Sequence, residues 1–287
     1  MNALKLMRIP FSVFLMPVFW FALSAAPVFD WQKAVAVFLI LHVLVYPASN
    51  GYNSYFDRDE GSIGGLKHPP KVTHSLFYLV VVFDFLAVLL SLLISIPFAV
   101  CVLVYLFVSK AYSYDKIRLK KYPYLSTFTV VFFQGAFTFL TVQIGSGVLS
   151  EHYFSAQNLV LAFVSSLFLC GSYPLTQVYQ HAEDKKRGDE TLSLKLGLKG
   201  TFLFSAISLT LAAALLIAEY FYTNQLSSIV IFAVFTAPVI AFFAWWQLQI
   251  RKNSLAVNFE NTMRMNQISS LCMSAAFLLM LFWPKLF

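Results

Sequence analysis

Charge is scarce in this sequence. Of its 287 residues only 11% are Asp, Glu, Lys or Arg, against about 25% in an ordinary soluble domain. With 59% hydrophobic residues and a mean hydropathy of +0.73, a water-soluble chain of this length would lack the core volume to bury its apolar side chains. Cysteine is nearly absent too. Cys101, Cys170 and Cys272 are far apart in apolar runs, with no CxxC and no His/Cys cluster. That excludes a disulfide framework and a zinc site and leaves three small hydrophobes. Strand-like alternation is also missing, so a membrane barrel is excluded.

What the chain has instead is long apolar runs. Spans of about 20 apolar residues cross a bilayer, and nine are expected: 9–28, 33–55, 75–95, 97–114, 124–147, 156–181, 200–222, 227–249 and 264–284. Ser95-Ile96-Pro97 makes the third and fourth a tight hairpin. The first run is flanked by Lys5 and Arg8 and contains ALSAA, the small residues of a signal-peptide cleavage site. It is long enough to span, however, and the later segments need it for topology, so it is retained as the first helix. The expectation is an all-α integral membrane protein, residues 1–287 forming one domain.

The formal charge of +7 does not call for nucleic acid, because cytoplasmic loops of membrane proteins collect Lys and Arg. With the N-terminus in the cytoplasm, 18 of the 20 basic residues fall inside, and only Lys33 and Lys285 fall outside. The expected placement is therefore a multi-pass protein of a bacterial-type inner membrane, with its C-terminus on the opposite side. Three inside connections are long and polar: 54–74, 110–123 and 181–199. Any chemistry is expected there.

The second helix ends in NGYNSYFDRDE. Asn50, Asn53, Ser54 and Asp57 share a helical face over two turns, and Asp59 and Glu60 follow. Amides at membrane depth are costly unless used. The sixth helix ends similarly: SYPLTQVYQHAED places Tyr173, Gln177, Gln180, His181 and Asp184 at spacings of three and four. Carboxylate and amide oxygens without thiolate or imidazole clusters suit a hard cation such as Mg²⁺, which takes one or two carboxylates plus substrate phosphates. The loop SKAYSYDKIRLKKYP sets Lys110, Lys116, Arg118, Lys120 and Lys121 among Tyr112, Ser113 and Tyr114. This reads either as a positive-inside loop or as an anion site. Asp84, deep in VVVFDFLAVLL, reads as a buried structural hydrogen bond or as a substrate contact.

These stretches resemble the UbiA superfamily of intramembrane prenyltransferases, over nearly the whole chain. The family's first motif, N-D-x-x-D-x-x-x-D, is similar to NSYFDRDEG through Asn53 and Asp57. Its second, D-x-x-x-D-x-x-x-G-x-x-T-L, is similar to QHAEDKKRGDETL through Asp184, Gly188, Thr191 and Leu192. Its Y-S-x-x-x-x-R-L-K segment matches Tyr112, Ser113, Arg118, Leu119 and Lys120. Three positions depart: Ser54 and Gly61 in the first motif, Gln180 in the second, each where the family has Asp.

The resemblance implies a nine-helix bundle around a central cavity and a Mg²⁺-dependent transfer of a prenyl group from a polyprenyl diphosphate to an aromatic or quinone-like acceptor. Asp57 and Asp184 would be catalytic through the metal, held with Asn53 and with Asn50, Asp59 or Glu60 as further ligands. Tyr112, Ser113, Arg118 and Lys120 would meet the diphosphate, and Tyr173, Gln180 and His181 the acceptor. Two other classes stay open on these residues: a transporter, and a lipid-binding protein whose catalytic site has degenerated through Ser54 and Gln180. Acceptor identity, prenyl length and oligomeric state are left open.

Overall fold

Nine helices long and apolar enough to span a membrane account for most of the described residues, 2–283, in the computed structural model. They are α1 (Asn2–Ser24), α2 (Trp31–Asp57), α3 (His74–Ile94), α4 (Ile96–Ser113), α5 (Pro123–Gly145), α6 (Ala156–Arg187), α7 (Leu192–Tyr222), α8 (Leu226–Lys252) and α9 (Phe259–Phe282). Lys285 and the C-terminus, which the sequence reading places outside, lie beyond the described residues. No strand occurs among those described.

The helix starts follow local chemistry. Asp30 accepts from the Gln32 and Lys33 amides ahead of α2, Ser95 from Phe98 ahead of α4, and Asn258 from Asn261 ahead of α9, each satisfying a donor the helix leaves unpaired. The hairpin between α3 and α4 is a single residue, Ser95. The expected 181–199 connection is much shorter. α6 continues to Arg187, Gly188 takes the left-handed conformation at φ 71°, and the Thr191 hydroxyl caps α7 through the Leu194 amide. Only residues 188–191 separate the two, although α7 is kinked at Gly197 (φ 65°, ψ 175°) soon after it starts. The charges of HAEDKKR made this stretch read as loop, but two well-capped helix ends need only a four-residue turn.

The main core draws buried side chains from all nine helices, with the aromatics Phe19, Phe21, Phe98, Phe139 and Phe232 among them. The outer faces are apolar: Phe85 and Leu93 on α3 and Val230 and Val234 on α8 are more than 60% exposed. An apolar surface on this scale is the face a bilayer covers. The Asp84 question resolves locally, since Asp84 receives Lys110 of α4 at 2.9 Å and neither residue lines the cavity described below.

Four spans leave α-helical geometry around that cavity. α1 winds as a 3-10 helix over Ile9–Leu15 and α6 over Tyr173–Gln180. α2 is a π-helix over Ile40–Val45 and α5 over Phe133–Phe137. Irregular backbone at membrane depth survives only where protein or a cavity satisfies it. His42 Nδ1 donates to the Ser12 carbonyl at 3.1 Å, tying one irregular stretch to another. In α5 the Ser166 hydroxyl accepts from Ala136 N (2.9 Å) and donates to Val131 O (3.1 Å), replacing lost ladder bonds.

Gly135 lets the two helices meet there: a Cβ on it would stand 2.5 Å from the Ser166 Cα. Backbone cannot swing aside, so Gly135→Val is expected to destabilise the protein by about 2–3 kcal/mol. The check is a lower thermal unfolding temperature in detergent; an unchanged temperature would show that α5 and α6 separate freely.

Candidate active site

The C-terminal ends of α2, α4 and α6 meet around a cavity of about 350 Å³. α2 presents Asn50, Asn53 and Asp57 to it, and Asp59 follows where Arg58 turns left-handed at φ 51°. Asn53 is the junction with α4: its Nδ2 donates to Asp57 Oδ2 at 2.7 Å and to the Ser113 hydroxyl at 3.1 Å. Tyr112 lies beside them, its hydroxyl 2.6 Å from that of Tyr173 and 3.2 Å from Ser126.

Ion pairs knit the mouth. Lys120 donates to Asp57 and lies 3.8 Å from Asp189. Arg187 pairs with Asp59 at 2.8 Å, reaches Asp57 at 3.8 Å, and donates to the Asp57 carbonyl. Arg118 makes a two-pronged bond to Asp189, at 3.1 and 3.0 Å. Burial pushes the Asp59 carboxyl up to about 6, and nearby Asp57 adds to this while Arg187 and Lys120 oppose it. Burial would lower Arg118, but the hydrogen bonds and charge of Asp189 raise it above its ordinary value.

The expected site residues separate into two groups. Asn50, Asn53, Asp57, Asp59, Tyr112, Ser113, Lys120, Tyr173, Gln180 and Asp184 all line the cavity. Arg118, Glu60 and His181 do not. Arg118 acts on Asp189 from behind, and Glu60 is exposed to the solvent side. His181 instead bonds the Ser193 hydroxyl of α7 at 2.8 Å, off the cavity lining. The reason is the winding of α6. Pro174 opens a tighter turn of about three residues, and the face drawn with α-helical spacing rotates before His181 is reached. Gln180 lines the cavity but spends its amide on the Ser62 carbonyl, at 3.0 Å, bracing the loop after α2. Ser54, the departure in the first motif, is buried away from the cavity.

The lining residues that went unassigned from sequence include Arg8, Tyr179, Glu183, Arg187 and Asp189. Arg187 and Asp189 flank Gly188 inside the second motif, so the signal was present. Arg8 had counted only toward orientation. It sits left-handed at φ 51°, buried, with its guanidinium on the Gly64 and Asn50 carbonyls at 3.2 Å each.

The lining carries five carboxylates (Asp57, Asp59, Glu183, Asp184, Asp189) against three cations (Arg8, Lys120, Arg187), a formal net charge of −2 with every group ionised. Among the described residues no three acidic, imidazole or thiolate groups enclose an ion by themselves. The Asp184 carboxylate accepts from the Thr191 hydroxyl at 3.4 Å, and neither it nor the Glu183 carboxylate takes part in an ion pair among the described residues. Oxygen donors, two of them without an ionic partner, fit a hard divalent cation shared with a ligand's phosphates rather than one caged by protein.

Deeper in the bundle a second chamber of about 420 Å³ adjoins the first. Phe14, Leu169, Ser172, Asn266, Ser269 and Ser270 border both. The second is walled mainly by apolar side chains such as Phe168, Leu209, Phe232 and Met273.

The fold is found in solved structures of low sequence identity. A UbiA homolog from Archaeoglobus fulgidus, bound to DMAPP and Mg²⁺, is 18% identical over 98% of this chain and 99% of its own, with a TM-score of 0.65. The apo structure of a UbiA homolog from Aeropyrum pernix K1 gives 16% identity over 94% and 98%, with a TM-score of 0.67. A digeranylgeranylglyceryl phosphate synthase structure gives 18% over 98% and 96%, with a TM-score of 0.60. No curated protein matches the chain. The UbiA prenyltransferase family model matches residues 14–268, a stretch that holds all three polar segments and seven complete spans; with that match, the chain belongs to the UbiA prenyltransferase family.

Proposed function

We propose that this prenyltransferase binds a polyprenyl diphosphate with its diphosphate among Asn53, Asp57, Lys120, Asp184 and Arg187 and its isoprenoid in the apolar chamber, and that Asp57 and Asp184, with Asn53, would hold Mg²⁺. One observation carries the reading: a net-negative ionic mouth opens into an apolar chamber. A diphosphate trianion is repelled by a lining of net charge −2, so its binding calls for divalent cations. The same pairing of ionic head site and greasy pocket matches the two ends of the donor.

In the reaction the C–O bond to the diphosphate breaks, a bond forms from the acceptor to the allylic carbon, and the acceptor gives up a proton. Mg²⁺ supplies neutralisation of charge on the departing diphosphate. Asn53, held against both Asp57 and Ser113, fixes the position of the Asp57 carboxylate. Lys120 and Arg187 can exchange from carboxylate to phosphate, adding donors where charge develops. The bridged Tyr112 and Tyr173 hydroxyls lie beneath the ionic mouth as neutral donors. The aromatic walls exclude water that would quench an allylic cation. The charge asymmetry supports a mouth on the cytoplasmic face, with the N-terminus there.

The test is donor binding to the purified protein with geranyl diphosphate, with Mg²⁺ and with chelator. Chelation is expected to weaken binding by about 100-fold or more, since two uncompensated like charges at close range oppose each other by several kcal/mol. Asp184→Ala should reproduce most of that loss at saturating Mg²⁺. Equal affinity in chelator and Mg²⁺ would remove the metal from the reading. Flux of the lipid across proteoliposomes without product would favour a transporter.

A further inference from the structure

The first cavity also reaches inward along α4 and α5, and there its lining is polar although it lies at mid-membrane depth. Gln134 lines it eleven residues from either end of α5. Tyr105 lines it eight residues, about 12 Å of helix, below Ser113 on α4. Tyr105 and Gln134 thus line the same cavity from α4 and α5. The Ser49 hydroxyl, also in the lining, is buried with no hydrogen-bond partner among the described residues. Every other α4 or α5 residue between this level and the ionic mouth that lines the cavity is uncharged: Val108, Ser109, Thr129, Val130 and Phe133.

An amide and a phenol at this depth are costly unless they meet a polar partner. The backbone is bent to place them. Gln134 stands in the π-helical stretch Phe133–Phe137, held open by the Gly135 contact and the Ser166 bonds, and such bulges re-aim side chains at functional sites. The isoprenoid is a poor occupant of this end. It would leave against hydrocarbon the donors and acceptors that a bond between the two side chains does not use, while the apolar chamber next to it offers matching walls.

We infer that Gln134 and Tyr105, with Ser49, recognise the acceptor, and that the acceptor presents there a neutral hydroxyl or carbonyl group on the side away from the diphosphate. This rests on the prenyl-transfer reading above. The two substrates then divide one branched space: the donor takes the ionic mouth and the apolar branch, the acceptor the polar branch. About 12 Å between Ser113 and Tyr105 leaves room for a ring system one or two rings long, its reacting edge upward. A carboxylate at the lower end would meet an amide and a phenol, and Arg8, the α1 cation of the lining, is already held by the Gly64 and Asn50 carbonyls, so charged acceptors are disfavoured.

The experiment uses the full chain in detergent, loaded with geranyl diphosphate and Mg²⁺. Binding of three bicyclic probes is measured: naphthohydroquinone, naphthol and hydroxynaphthoic acid, which differ only in the distal group (hydroxyl, hydrogen or carboxylate). The hydroquinone is expected to bind about tenfold more tightly than either of the others, the worth of one buried hydrogen bond. Gln134→Met and Tyr105→Phe keep shape and remove only polar atoms, and their thermal unfolding reports on folding. Each should erase most of the tenfold preference. Two outcomes overturn the inference: an acid that binds as tightly as the hydroquinone, or a preference that survives in both variants. Failure of geranyl diphosphate to bind the unmodified protein with Mg²⁺ would instead refute the donor reading.

Discussion

Asp57→Ala is expected to lower donor turnover by about 10³-fold, the scale on which enzymes lose transition-state charge stabilisation when one preorganised group is removed. Asp57 is where the mouth's interactions converge. It accepts from Asn53 and Lys120, lies 3.8 Å from Arg187, and gives Arg187 its backbone carbonyl as well. Removing the carboxylate leaves Lys120 and Arg187 largely buried with fewer counter-charges, side chains 10% and 21% exposed. Uncompensated charges of that kind cost about 3–5 kcal/mol, so Asp57→Ala should also unfold at lower temperature. Asp57→Asn separates the two effects. It keeps an oxygen for Lys120 and restores much of the stability, while the missing negative charge keeps turnover down by about 100-fold and weakens the Mg²⁺ dependence. Donor turnover in Asp57→Asn equal to that of the unmodified protein, at the same Mg²⁺ requirement, would show that Asp57 is only a structural anchor.

The spans were legible because hydropathy over 20 residues is a collective property, insensitive to any one contact. The ends of α6 and α7 were not. Charged residues between Glu183 and Lys199 look like loop, yet Gly188 in the left-handed region and the Thr191 cap let both helices extend into them. Asn53, Asp57, Tyr112, Ser113, Lys120 and Asp184 could be read because each sits on regular helix or in a short motif. His181 was misplaced for the opposite reason: a 3-10 stretch changes the angle per residue, and hydropathy carries no trace of that. Arg8 and Gln134 were invisible for a third reason. Their importance comes from backbone irregularities, a left-handed residue and a π-helical stretch, that are fixed by packing against other helices.

Asp189→Ala is expected to approach the damage of Asp57→Ala although Asp189 matches no motif position. Its side chain is 6% exposed and takes both prongs of Arg118, with Lys120 at 3.8 Å. Arg118 is itself left-handed, φ 44°, a conformation a bulky residue holds only when its surroundings impose it. Asp189 therefore does two things. It pins the turn between α4 and α5 to the turn between α6 and α7, and it shares Lys120 with Asp57. Without it, Arg118 is free to relax its backbone, Lys120 drifts from the mouth, and stability falls by about 3 kcal/mol. Because Asp189 acts through Lys120, the donor KM should rise more than kcat falls, by about tenfold or more. Removing Arg118 as well should cost less than the sum of the two single changes, since Arg118→Ala on an Asp189→Ala background deletes a charge that has already lost its partner. A double-mutant cycle on thermal stability measures this coupling, expected at about 1–3 kcal/mol. Strict additivity would mean that the two turns are held together by something other than this pair.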